Sequence, residues 1–256
     1  MRDKYDRMYS APLSKDSIAT IIGRRSPRNR FEAIVAQGGK GEKILDIGCG
    51  SGHLLYQFRE SFRNLVGLEY SPHRLEQARV NLEEWPFTPI CGNAEDLSSI
   101  NSNSIDQIIS ADTIEHIPDV YKAVQEMYRV LRPSGRLVIN TPNIAFIKKR
   151  VLLLAGRFPS TSQPNEGISD DNLFDGGHLH YFTFRSLRLV LEKLGFKIEK
   201  ECGYGPLGMI QNIRPQLLSG GIQVVARKHA TAGANAPDVT KVERVASYSQ
   251  SNRGRR

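Results

Sequence analysis

The chain has 256 residues and a formal net charge of +8. That length carries one sizeable α/β core plus extensions, and no apolar run approaches the roughly 20 residues that cross a bilayer. Its three cysteines, Cys49, Cys91 and Cys202, are too few and too scattered for a disulfide framework or a zinc site. With a charged N-terminus, Met1–Asp6, that lacks an apolar signal region, they point to the cytoplasm.

The positive charge sits at the ends. Residues 1–30 carry eight Lys/Arg against three Asp, and residues 229–256 carry five against two acids. Residues 31–228 are neutral overall. A nucleic-acid enzyme carries a basic face on its folded domain, so this distribution argues against a nucleic-acid partner. Arg24, Arg25, Arg28 and Arg30 leave room for a local anion patch.

Residues 1–35 precede the first strand and read as an N-terminal helical flap over the binding site. The first strand, Lys43–Ile47, contains Asp46 and runs into Gly48-Cys49-Gly50-Ser51-Gly52. Glycine tolerates φ > 0 and has no Cβ, so a ligand can lie on this backbone. A helix over 53–62 points its N-terminus at the same place. The dinucleotide spacing Gly-x-Gly-x-x-Gly fails in both frames, at His53 and at Leu55, and no Gly-Lys-Ser/Thr follows. NAD, FAD and a Walker-type nucleotide are therefore disfavoured. The second strand, 64–69, ends in Glu69, about 20 residues beyond the glycines, where an acid can accept hydrogen bonds from ribose hydroxyls. Ser71-Pro72 starts a helix over 72–84.

A third strand, 88–91, leads into Gly92-Asn93-Ala94-Glu95-Asp96-Leu97. The fourth, 105–110, ends at Ser110 and opens the segment Asp112-Thr113-Ile114-Glu115-His116. A helix over 119–131 shows Val120, Val124, Met127 and Leu131 at helical spacing. Leu131–Gly135 is its stop and turn, and a fifth strand covers 135–140. After a helix at 184–194, two final strands at 196–200 and 221–226 close the sheet, one of them antiparallel. The alternation implies an α/β, Rossmann-like, doubly wound sheet of seven mostly parallel strands with helices on both faces. The domain spans 36–228. Inside it, 142–182 is an insert with a basic-apolar stretch, 144–158, and a polar loop, 159–175. That stretch reads as a lid helix packed on its own domain in preference to an amphipathic helix touching a membrane or a partner. Residues 229–256 read as a disordered basic tail.

The glycine run resembles motif I of the class I methyltransferases that use S-adenosyl-L-methionine (SAM), of the type 11/23 group. The resemblance covers about residues 40–228. It implies that Asp46, Gly48, Gly50 and Gly52 carry the amino-acid and sulfonium end of SAM and that Glu69 holds the ribose. Asn93, Ala94 and Glu95 would surround the adenine, with Asn93 standing where the family usually has Asp. Ser110 closes the cofactor-binding set.

Asp112, Glu115 and His116, at i, i+3 and i+4, can share a helical face. Carboxylates plus imidazole suit Mg²⁺ or Mn²⁺. The downstream Asp175-Gly176-Gly177-His178-Leu179-His180 segment resembles ubiquinone-pathway O-methyltransferases. These, like small-RNA 2′-O-methyltransferases, pair such a segment with a later histidine around a metal, and His178 falls in that place. Asp112 replaces the Glu usual there. His116, His178 and His180 are also the candidate bases, because imidazole titrates near physiological pH. Asn140-Thr141-Pro142-Asn143, the basic-apolar helix and the His178 segment also resemble MetW-type proteins of methionine biosynthesis, which act with a homoserine acyltransferase. The expected function is SAM-dependent methylation of an oxygen on a small-molecule, sugar or lipid-linked acceptor. The alternatives are a MetW-like partner protein and an RNA 2′-O-methyltransferase.

Overall fold

The structure, a computed structural model, describes residues 13–162 and 174–229. Nearly all of the expected disordered tail and most of the polar loop lie outside the described residues. In chain order the elements are α1 (Arg30–Val35), β1 (Gly41–Ile47), α2 (His53–Gln57), β2 (Phe62–Glu69), α3 (Pro72–Asn81), β3 (Phe87–Cys91), β4 (Ile105–Ala111), α4 (Val120–Val130), β5 (Leu131–Pro142), α5 (Ile147–Leu154), α6 (Phe184–Lys193), β6 (Phe196–Tyr204), α7 (Pro215–Leu218) and β7 (Gly221–Lys228).

The seven strands form one sheet in the order β3-β2-β1-β4-β5-β7-β6. All neighbours run parallel except β7, which is antiparallel to both β5 and β6. The chain winds outward from β1 to β3, then returns to β4 on the other side of β1. That reversal opens a crevice at the carboxyl ends of β1 and β4, the place where ligands bind in open α/β sheets.

Alternate strand residues serve opposite faces. Leu45, Ile47, Leu137 and Ile139 pack with Val124 and Met127 of α4 and Leu187 and Leu191 of α6. Ile44, Ile109 and Val138 pack with Ile34 of α1, Leu54 and Leu55 of α2, and Leu75 of α3. The helices start where the sequence supplies caps. Ser71 Oγ accepts from Arg74 N with Pro72 behind it, Asp119 accepts from Lys122 N, and Thr183 with Ser186 forms a reciprocal capping box.

Several boundaries differ from expectation. The helix after the glycines stops at Gln57, because Phe62 is already the first residue of β2. β6 runs on to Tyr204 through polar residues, since the long β7 offers it partners as far as Gly221. Among the described residues of the flap, 13–29 are not helical and Arg30–Val35 forms a helix. Its chain is held by side chains instead, with Asp16 at Asn81 and His53, and Gln57 at Ile21 N and the Ala19 carbonyl. The lid helix forms over Ile147–Leu154, yet none of its residues is buried. Lys149 and Leu152 are half-buried, and its other residues are exposed.

Met127 is fully buried beneath the sheet. Met127→Ala should therefore lower unfolding free energy by about 2–5 kcal/mol in denaturant melts, with the native circular dichroism retained.

Candidate cofactor cleft and acceptor-side cluster

The turn after β1 needs its glycines. Gly48, Gly50 and Gly52 have φ of 77°, 54° and 80°, a region that side chains with a Cβ rarely adopt. A Cβ on Gly48 would lie 2.5 Å from Thr113 Oγ1. Gly48 N and Cys49 N donate to the Leu68 carbonyl, so the loop is pinned to the end of β2.

Glu69 does the same from the other direction. It is 7% exposed, Oε2 accepts from Gly50 N at 2.9 Å, and Oε1 accepts from Tyr70 N at 2.8 Å and Ser71 N at 3.0 Å. Beyond the ribose contact read from the sequence, Glu69 has a structural role, since three backbone N–H groups converge on it. A carboxylate has about four acceptor positions, so one remains toward the crevice. Arg74 comes within 3.9 Å of Glu69 and lies over Gly50.

The rest of the expected cofactor set is distributed around this crevice. Asp46 is buried at the end of β1, and Ser110 lies fully buried two strands' width from Glu69 with no partner for its hydroxyl among the described residues. Asn93 Oδ1 accepts from Glu95 N, and Glu95 Oε1 accepts from Asp119 N at the start of α4. Ala94 packs in the core. The third-strand loop is therefore ordered by its own polar side chains, with its backbone facing the crevice end of the sheet.

On the other side of the crevice, the expected helical face is absent. Residues Ile114–His116 form a single 3-10 turn, and Asp112 has φ 48°. The i, i+3, i+4 argument fails because it assumes 3.6 residues per turn. Asp112 is turned away: Oδ1 accepts from Tyr204 Oη at 2.7 Å, and Oδ2 faces Arg30 Nη1 at 3.3 Å. Glu115, His116 and His178 do come together, with one ligand atom from each lying within 4.8 Å of the others. Asp112 is not part of this group. His180 is not either, since its Nε2 meets the Pro118 carbonyl.

Each member is held from behind. The backbone carbonyl of Glu115 accepts from Leu179 N and His180 N, which docks the returning insert. Glu115 Oε2 accepts from Thr141 Oγ1 at 2.9 Å, and Oε1 is buried with no partner among the described residues. His116 Nδ1 faces the Gly177 carbonyl at 3.1 Å, so Nδ1 carries the proton. His178 Nδ1 lies 2.6 Å from Thr161 Oγ1, and Thr161 Oγ1 donates to Asp175 Oδ2 at 3.2 Å. With its hydrogen committed to Asp175, Thr161 accepts from His178 Nδ1. Both imidazoles thus take the tautomer whose Nε2 bears a lone pair. The two rings meet edge to face at 4.6 Å.

Asp175 is the residue that sequence reasoning passed over. Burial raises its carboxyl, but hydrogen bonds from Ser160, Ser162 and Thr161 outweigh this and bring it to about 2. Its φ of 46° is strained for a non-glycine residue. The Asp-Gly-Gly-His run was a visible signal for it. Tyr204 and Thr141 had none, since they reach the site from distant strands.

Residues 45–139 match the family model described as a methyltransferase domain. The match covers 95 of the 256 residues and likens this part of the chain to methyltransferases that use SAM. Among curated proteins it is similar to the ubiquinone biosynthesis O-methyltransferase of Vibrio cholerae, 27% identical over 141 residues, which cover 54% of this chain and 57% of that protein. The chain thus spans little more than half the length of such relatives. Among solved structures, a SAM-dependent methyltransferase from Mesorhizobium loti superposes with TM-score 0.58 at 20% identity, covering 77% of this chain and 96% of that one. One from Methanosarcina mazei gives TM-score 0.58 at 22% identity, with 78% and 98% covered. These likenesses establish the fold.

Two buried acids bracket the crevice. Burial first, then the Glu69 charge, pushes Asp46 up to about 8, against the pull of Arg74. Burial and then Asp112 push Glu115 up to about 8. An acid raised in the fold stabilises it fully below the ordinary carboxyl range, and this contribution is lost as pH rises through the folded pKa. The histidines act in the opposite window. Burial, then the neighbouring His116, brings His178 down to about 4, and burial also lowers His116. Their effect is complete above 6.5, the ordinary imidazole value. From pH 6.5 toward 8, stability should therefore fall in denaturant melts, and Asp46→Asn or Glu115→Gln should flatten the slope. A flat wild-type profile would mean that both acids ionise freely in the fold.

Proposed function

We propose that the protein transfers the methyl group of SAM to an oxygen on a small-molecule, sugar or lipid-linked acceptor. The observation that carries this reading is a glycine cradle and an acid–imidazole cluster facing one crevice from opposite sides. The Vibrio cholerae relative, an O-methyltransferase by name, supports oxygen as the acceptor atom. The residues present fit SAM. Gly48, Gly50 and Gly52 hold the left-handed turn that carries the backbone past Thr113 and Arg74 into the crevice, and the buried acids Glu69 and Asp46 stand beside it.

When bound, SAM supplies an electrophilic methyl group to an acceptor oxygen aligned with it. The chain's part is to align that oxygen and receive its proton. His178 presents the Nε2 lone pair that Thr161 and Asp175 select, and His116 presents the same tautomer beside it. Their lowered pKa values keep both rings neutral at physiological pH, ready to accept but weak as bases. Glu115, raised to about 8, keeps its proton at neutral pH and becomes a proton acceptor as pH rises toward 8.

A second reading of the same cluster has a specific observation in its favour. Glu115, His116 and His178 would hold a divalent cation, with the unpartnered Glu115 Oε1 as its anionic ligand. A bound cation would lower the acceptor hydroxyl's pKa. Asp112 is left out of this set, being committed to Tyr204 and Arg30.

Calorimetry tests the main reading. SAM should bind with micromolar affinity, about −8 kcal/mol. Glu69→Ala should weaken it at least tenfold, and should also cost about 1–3 kcal/mol of stability by stranding the backbone donors. Well-folded wild type that ignores SAM would overturn the proposal, and co-purification with an acyltransferase would then favour a MetW-like partner role. For the cluster, Mn²⁺ titration should show one site that His178→Ala abolishes while SAM binding persists. Activity that survives EDTA but falls in His116→Ala and His178→Ala assigns the imidazoles to proton uptake instead.

A further inference from the structure

Exposed apolar side chains gather at one edge of the sheet, and the methyltransferase fold does not account for them. β5 and β6 both end at the carboxyl edge, so α5, the segment 205–220 and the chain 20–29 all lie at the rim of the crevice. They are tied together there. Asn143 N donates to the Gly220 carbonyl, and Asn143 Nδ2 donates to the Ser219 and Gln216 carbonyls. The Pro27 carbonyl accepts from Gly205 N and Gln211 Nε2.

From this rim Val151, Leu153 and Leu154 stand out of α5, and Met209, Ile210 and Ile213 stand out of the following rim segment. Leu154 is 88% exposed, Met209 76% and Ile213 75%. Leucine and isoleucine are normally among the most buried residue types, and apolar residues clustered this way mark an interaction surface. The charges among them are of one sign. Residues 20–29, 143–162 and 205–220 together hold eight Lys/Arg and no Asp or Glu. The acids of the insert loop, Glu166, Asp170 and Asp171, fall outside the described residues. Lys148 and Arg150 adjoin the apolar side chains of α5, and Arg214 follows Ile213.

We propose that this rim docks on an anionic lipid bilayer, with the apolar side chains of α5 and 209–213 entering the acyl boundary and the Lys/Arg groups staying at the headgroups. The physics favours lipid over a protein partner. A bilayer rewards protruding apolar side chains backed by cations, and each Lys or Arg near an anionic leaflet adds to the attraction. Apolar side chains with cations beside them in the described segments match a surface that is negative above and apolar below. Docking does not depend on methyl transfer. Its consequence, that a lipid-linked acceptor enters the crevice from the bilayer, rests on the proposed function.

The test is co-sedimentation of the full chain with vesicles, without SAM. Vesicles of phosphatidylcholine and phosphatidylglycerol in equal parts should carry the protein down, and pure phosphatidylcholine should not. Leu153→Glu with Leu154→Glu should reduce binding about tenfold or more, and so should Lys148→Glu with Arg214→Glu. None of these residues touches the cluster or the cradle, so calorimetric SAM binding reports whether each variant is folded. Failure of wild type to bind the anionic vesicles, or binding left unchanged by both variants, would overturn the proposal. A concentration-dependent dimer that Leu153→Glu with Leu154→Glu dissolves, without vesicle binding, would also overturn it and give the rim to a second copy of the chain. SAM binding without vesicle binding defeats docking alone. Vesicle binding without SAM binding defeats the proposed function alone.

Discussion

The crevice depends on one carboxylate. Glu69 is fixed in position by the end of β2, and from there it draws Gly50 N, Tyr70 N and Ser71 N into a single knot. The glycine loop belongs to β1, and Ser71 caps α3, so three elements take their relative positions from this contact. A neutral side chain at 69 would have to satisfy three converging donors in a place nearly closed to water. An ionised carboxylate does this with charge-assisted bonds, roughly twice as strong as neutral ones. Asp46 lies beside Glu69, where burial first and then the Glu69 charge push its carboxyl up to about 8. A cationic ligand entering the crevice would reverse that balance and favour release of the Asp46 proton.

The acceptor side is built by a different logic. Its residues come from the 3-10 turn after β4 and from the returning insert, with no rigid element spanning both. What joins them is a set of short polar relays: Glu115 to Thr141, His116 to Gly177, and His178 through Thr161 to Asp175. Each relay settles the direction of a hydrogen bond, and together they set which imidazole nitrogens keep their lone pairs. The strained Asp175 backbone lies in this half, where function rather than stability would select it.

The sheet was legible because its signals are local and repeated. The short apolar runs of β1, β4 and β5, the Ser71-Pro72 helix start and the spacing from Gly48 to Glu69 each lie within a short stretch of chain. The cofactor half of the site inherited that clarity. The acceptor half did not, because its members meet only through tertiary contacts. Asp112 illustrates the failure: a helical-face argument placed it beside Glu115, but a left-handed φ and a hydroxyl arriving 92 residues later from Tyr204 took it elsewhere. α5 differs again: its amphipathic pattern was visible, but a pattern does not say what covers the apolar face, and Val151, Leu153 and Leu154 stay exposed.

Glu115 carries one more implication through its main chain. The insert returns to the crevice by donating Leu179 N and His180 N to a single carbonyl, that of Glu115. A backbone carbonyl is indifferent to side-chain identity, so this anchor tolerates almost any sequence on either partner. The joint therefore works as a socket. Inserts of other lengths and chemistries can plug into the same sheet, bringing a new acceptor wall while the cradle on β1 and β2 stays untouched. The boundary between the glycine cradle and the returning insert is drawn at this one oxygen.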